Sequence, residues 1–196
     1  MVKSICRESY SDPQKIYAVL QRRGMDLFTL TDHDSIEGAE KLHSLPNFFV
    51  SEELTCRMPS GTEVHIGVYD VSEKQHVQLL QRRSDLVSLL MYLTEKRIFF
   101  SINHVFSGLT GRRELEDFKW FNEYFPAFEI KNSHMLERAN DEAARLAKRW
   151  GKIGIGGSDA HRRRHPSMWA ARLANRRRVR ACSRYGAAPR SGPQRR

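Results

Sequence analysis

Two Asp-His pairs constrain this chain more than its composition does. Asp32-His33 lies near the start, and Asp159-Ala160-His161 lies far downstream. Each follows directly on a short apolar run, residues 27–31 and 153–157, that reads as a strand. An acid and an imidazole at strand ends so distant in sequence act together only if the fold brings those ends to one rim. A parallel α/β barrel does this, because side chains at the C-terminal ends of its strands converge on one face. Imidazole and carboxylate in one cavity are the donor set of a divalent-metal site.

The chain between the pairs alternates strands with helical patterns. Residues 12–23 place Ile16, Tyr17, Val19 and Leu20 in an apolar stripe, with Pro13 suited to a first turn and Gly24 to a stop. Ser35 can cap a short helix to about residue 43, as can Asp34. Residues 48–54 and 63–70 read as strands joined by the turn Pro59-Ser60-Gly61. A single long helical period runs over 72–96. Three further strands are expected at 98–103, 127–131 and 153–157, with a helix over 135–150 between the last two. Counting a short first strand at 2–6, seven strands with intervening helices favour a barrel over a sandwich.

Charge divides the chain in two. Of the 33 Lys and Arg residues, 12 are arginines after His161, where there is no Lys and no acid. The preceding 161 residues hold 21 basic and 23 acidic residues, so the overall excess of +10 belongs to the end of the chain. Residues 1–161 are read as the folded domain that carries both Asp-His pairs. Residues 162–196 are read as a basic low-complexity tail that buries too little apolar surface to order itself. A nucleic-acid groove would be basic within the folded body, so nucleic acid is expected only through non-specific contacts of the tail. Cys6, Cys56 and Cys182 form no CxxC pair, which suits reduced thiols in the cytoplasm. No apolar run approaches the ~20 residues that span a bilayer.

Four of the eight histidines, His33, His65, His104 and His161, sit on strands or at their ends. Asp32, Asp34, Glu53 and Asp159 accompany them. Each has a plain structural reading as a helix cap, a satisfied core histidine or a solvated strand acid. Their shared place at strand termini favours a metal site, with Zn, Mn or Fe not distinguished. Glu52, His43 and His76 read as solvated. Arg57, Lys131 and the pair Arg112-Arg113 are the cations available to phosphate oxygens, although solvation better fits the Arg pair.

In this order the motifs resemble the PHP superfamily, named for polymerase and histidinol phosphatase. Thr31-Asp32-His33-Asp34 is similar to its second motif. Glu53 with Glu63-Val64-His65, then Asn103-His104, then Glu129-Ile130-Lys131-Asn132, resemble the motifs of its middle part. Gly157-Ser158-Asp159-Ala160-His161 resembles its last. The resemblance implies a distorted (β/α)7 TIM-like barrel holding two or three divalent metals. It implies metal ligands at Asp12, His33, Glu53, His65, His104, Asp159 and His161, with Asp32 orienting a ligand. The implied activity is hydrolysis of a small phosphomonoester or nucleotide, with Asp32, His33, His104 and Asp159 in the catalytic machinery and Arg57 and Lys131 binding substrate. The family's first motif is His-x-His, and here no His precedes His33. The matching stretch offers Cys6 and Glu8, with Arg7 between them.

Overall fold

The computed structural model describes residues 12–108 and 110–159. The strand expected at 2–6, the stretch around Cys6 and Glu8, His161 and the arginine-rich tail lie outside the described residues. Local chemistry accounts for most element boundaries. Helix α1 (Pro13–Arg22) starts where the Asp12 carboxylate accepts from the Gln14 N–H at 3.0 Å, with Pro13 in its first turn. Strand β1 (Thr31–His33) and the short helix α2 (Glu37–Glu40) follow. The Ser35 hydroxyl accepts from the Glu37 N–H at 3.2 Å and shapes the entry to α2.

Strands β2 (Ser51–Arg57) and β3 (Glu63–Tyr69) form a hairpin. Its turn closes through the Gly61 N–H to the Met58 carbonyl at 2.8 Å, with Gly61 at φ 88°. Helices α3 (Glu73–Arg82) and α4 (Leu86–Glu95) replace the single helix expected over 72–96. Asp85 breaks the run by capping α4, its carboxylate accepting from the Ser88 N–H at 3.2 Å. Then come β4 (Phe99–Ile102), α5 (Leu115–Tyr124), β5 (Ala127–Asn132), α6 (Glu137–Arg149) and β6 (Ile153–Gly157). In this order the six strands make one curled sheet, a half-barrel.

The parallel barrel expected from the sequence, with a local departure where no helix separates residues 48–54 from 63–70, is corrected at β3, which runs antiparallel to both neighbours. The five residues between β2 and β3 are too few for a parallel crossover, which takes a dozen or more. Between β3 and β4 lie two helices with a short connection. They return the chain to the end of the sheet it left, so β4 opposes β3. The remaining pairs, β1 with β2, β4 with β5 and β5 with β6, are parallel.

The two faces of the sheet bury different residues. Outside, Leu54, Cys56, Val64, Ile66, Val68, Phe100, Ile102 and Phe128 pack under Leu79, Leu89, Leu93, Phe121 and Phe125 of the helices. Phe121 meets Phe118, Phe125 and Phe128 edge-on at 5.7, 5.7 and 6.5 Å, which locks α5 onto β5. Inside, Leu27, Phe49, Tyr69, Phe99, Ala127 and Ile155 form a separate plug, one residue from each of the six strand runs. Such a layer of side chains fills one level of a barrel interior. The polar residues of the site stand above it on the same face.

Burial pushes the Cys56 thiol up to about 12, helped by the nearby negative charge of Asp34. Cys56 therefore stays protonated at pH 8 and resists alkylation in the native state. In a Cys6→Ser/Cys182→Ser background, iodoacetamide at pH 8 is expected to label the native protein far more slowly than the urea-unfolded protein. Equal rates would contradict the packing of β2 against the helices.

Candidate metal centre

Strand register puts the centre together. His33 pairs with Glu53 across β1 and β2, and Thr55 pairs with His65 across β2 and β3. Side chains paired in register share a face, so His33, Glu53, Thr55 and His65 all look inward above the apolar plug. Because β3 runs in reverse, His65 arrives from near its N-terminal end, contrary to the expectation that each ligand sits at a C-terminal strand end. His104 follows β4, and its ring lies edge-on to that of His65 with centroids 4.8 Å apart. The His33 ring stands 4.6 Å from that of His65 on the other side.

Donor atoms of His33, Glu53 and His65 lie within 4.8 Å of one another. Tighter still is the triangle of Glu53 Oε1, His65 Nδ1 and His104 Nε2. Its sides are 3.0 Å, 3.0 Å and 3.1 Å. Protons fit this triangle poorly. If both nitrogens are protonated toward Glu53, two N–H groups face each other. If one is bare, its contact with the carboxylate has no hydrogen. A divalent cation accepts lone pairs from all three atoms at once, and donors about 2.1 Å from such an ion lie about 3.0–3.4 Å apart. The donor set present here therefore fits a metal ion.

Charge in the cluster follows from its burial. Desolvation works to raise the Glu53 carboxyl, but hydrogen bonds from His104 and His65 outweigh it and hold the carboxyl far below the usual range. Desolvation likewise works to lower His104, and the Glu53 carboxylate overrides it and raises the imidazole. Burial pushes Glu129 up to about 7, against the stabilising hydrogen bond from Asn132. His104 Nδ1 is buried with no hydrogen-bond partner among the described residues. Below the cluster, an added Cβ at Gly67 would run into the Tyr69 and Ser101 hydroxyls. Those hydroxyls pair at 2.9 Å, and Ser101 donates on to Asn103 Oδ1 at 2.7 Å.

On the other side of the cluster, the His104 N–H donates to Glu129 Oε2 at 2.8 Å. Asn132 Nδ2 donates to the same oxygen at 3.0 Å and to Asp159 Oδ2 at 3.2 Å. The bare backbone of Gly157 leaves room for the Glu129 carboxylate, which an added Cβ would displace. The fold thus draws His33, Glu53, His65, His104, Glu129 and Asp159 into one connected region.

Other expected residues lie elsewhere. Exposed Asp12 caps α1. The Asp32 carboxylate lies against Gly38 of α2, since strand alternation turns it away from His33. Asp34 accepts from the Thr55 N–H at 3.1 Å and pairs with Arg83, so it ties β1 to β2 and does not cap α2. Arg57 faces Glu63, 4.0 Å away, one strand rung beyond the pair of Thr55 and His65. Lys131 is exposed and paired with Glu137 at 2.6 Å.

Three expectations of solvated residues are corrected. Glu52 is fully buried on the outer side of β2, where His76 of α3 approaches it at 2.9 Å. His76 is accordingly drawn in from the surface by a buried carboxylate. Arg113 is half-buried and clamps the loop before α5 to β3, donating to the carbonyls of Val105 and Glu63 and to the Thr110 hydroxyl. Asn140 is not visible in the sequence as part of the site, and no motif marks it. Its helix position facing β5 is the only available signal.

A family model described as PHP-associated matches residues 137–165. No curated protein matches the chain. Among solved structures, a candidate metal-dependent phosphoesterase from Bifidobacterium adolescentis superposes with a TM-score of 0.62 at 13% identity, over 89% of this chain and 91% of that one. The likeness establishes a common fold, and the PHP-associated match covers the segment that runs through α6 and β6.

Proposed function

We propose that this protein is a metal-dependent phosphoesterase acting on a small phosphomonoester or nucleotide. The observation that carries the reading is the triangle of Glu53 Oε1, His65 Nδ1 and His104 Nε2, which a cation fits better than protons do. A divalent cation supplies two things there: it lowers the pKa of water toward ~7, and it neutralises charge that develops on phosphoryl oxygens. Glu53, His65 and His104 would hold it, with His33 beside them and Asp159 on the β6 side. The apolar plug of Leu27, Phe49, Tyr69, Phe99, Ala127 and Ile155 closes the site from below, so solvent and substrate enter from the rim. Arg57 lies on β2 with Glu53 and is suited to a phosphate oxygen. Mn, Zn and Fe all suit the imidazole and carboxylate donors.

The same reading completes the six-stranded sheet to a distorted (β/α)7 barrel. It places the protein in the cytoplasm, where a free thiol such as Cys56 stays reduced. No helix among the described residues is long and apolar enough to cross a membrane.

Elemental analysis of the purified protein, paired with hydrolysis of an aryl phosphate in added Mn, tests the reading. Bound metal is expected, with turnover that His104→Ala removes. A trace of metal and no turnover would instead mark a PHP barrel kept for structure or interaction.

A further inference from the structure

His104 and Asp159 share an unusual backbone, with φ of 28° and 47°. Side-chain-bearing residues adopt this left-handed region rarely, and mostly where their surroundings leave no choice. Both are tied to the same two residues of β5. Glu129 Oε2 receives the His104 N–H, and Asn132 Nδ2 donates both to that oxygen and to Asp159 Oδ2.

Asn132 is itself fixed on every side. Its N–H donates to Asn140 Oδ1 at 2.9 Å, and its carbonyl accepts from Asn140 Nδ2 at 3.0 Å. Its Oδ1 accepts from the His134 N–H at 2.9 Å. These partners settle which way the amide points. The donor end faces two carboxylates, and the acceptor end faces a backbone N–H.

We infer that Asn132 is a positioning residue for the metal centre, its amide holding Glu129 and Asp159 in fixed relation so that the segments bearing His104 and Asp159 are aligned before a cation binds. The inference rests on the metal-dependent reading above. Asn132 acts through its neighbours and is not itself a ligand. Its reciprocal pair with Asn140 anchors the arrangement to α6, so the site inherits the rigidity of a helix packed on a strand.

The test is Mn binding by calorimetry on the full chain, with turnover as a second readout. Asn132→Leu removes the donor and acceptor at similar size. It is expected to weaken Mn affinity about tenfold to hundredfold, the range for losing a residue that orients a ligand. At saturating Mn its kcat should recover toward the wild-type value with KM for the aryl phosphate unchanged. Asn132→Ser is smaller and too short to span both carboxylates, and it carries the same expectation if the Leu variant does not fold. Asn140→Ala controls for a purely structural role, since it loosens β5 from α6 and leaves the Asn132 amide in place. It should lower Tm with a smaller change in Mn affinity. Mn isotherms for the Leu and Ser variants that superimpose on wild type would overturn the inference alone. A wild-type chain that binds no Mn would overturn the proposed function and this inference with it.

Discussion

Replacing Glu53 with Gln is expected to abolish stoichiometric Mn binding and to cut phosphate-ester turnover at least ~100-fold, more than the loss from residues that merely orient ligands. Gln has nearly the same shape but no charge, so geometry is kept and only the donor chemistry changes. Oε1 of Glu53 is the one atom that both His65 and His104 approach at 3.0 Å. In metal-free protein the same change leaves the raised His104 imidazole without its counter-charge. Losing a charge-assisted hydrogen bond to a buried group costs about 1–3 kcal/mol, so urea unfolding in EDTA should show a clear loss of stability. Adding His104→Gln to the Glu53→Gln variant should recover part of it, because the buried imidazole that lost its carboxylate partner is then gone. Calorimetric Mn binding in the Glu53→Gln variant at wild-type stoichiometry and affinity would remove Glu53 from the centre.

The acids and imidazoles of this centre are legible because metal-type donors fall at ends or inward positions of apolar runs. His33, Glu53, His65, His104 and Asp159 are each visible in that way. The sequence does not say which residue turns inward. Asp32 looks as eligible as His33, and Glu52 reads as solvated, yet strand alternation sends Asp32 toward Gly38 and buries Glu52 against His76. A shift of one residue exchanges the faces of a strand, and pairing register is a tertiary fact. Asn140 has no local signature at all, since its role exists only once α6 lies against β5.

The fold is legible where local chemistry decides it and less so where topology does. Asp12 with Pro13, and the turn at Gly61, set boundaries that the sequence displays. Direction of β4 depends on how many helices precede it, and that hinges on Asp85 capping a new helix inside a continuous apolar pattern. The α5 helix carries Phe118, Phe121 and Phe125 at helical spacing, a stripe that no motif on either side draws attention to. Its burial shows why the stripe exists: Phe121 and Phe125 are fully enclosed by β4 and β5.

Metal-free protein is expected to lose about 2.5 kcal/mol of stability between pH 5 and pH 8 through Glu129 alone. The ordinary Glu value is 4.5, and burial pushes this carboxyl up to about 7 in the folded state. Between those values the native chain keeps a proton that the unfolded chain has released. The native state then binds more protons, so stability falls as pH rises, and every tenfold difference in proton affinity between the two states is worth about 1.4 kcal/mol. The contribution is fully present below pH 4.5 and lost as pH climbs through about 7. Glu53 slopes the other way, because its carboxyl is depressed. Its contribution holds above 4.5 and fades as pH drops. Subtraction separates the two: urea unfolding of wild type and Glu129→Gln, both in EDTA, at pH 5 and pH 8. Gln keeps an acceptor for the His104 and Asn132 N–H groups and cannot ionise. The variant should gain stability relative to wild type by about 2–3 kcal/mol on going from pH 5 to pH 8. A difference that does not change with pH would mean that Glu129 is ionised in the folded metal-free protein. The carboxylate would then already face the cluster as a charge, and the β5 side of the centre would be anionic before any cation binds.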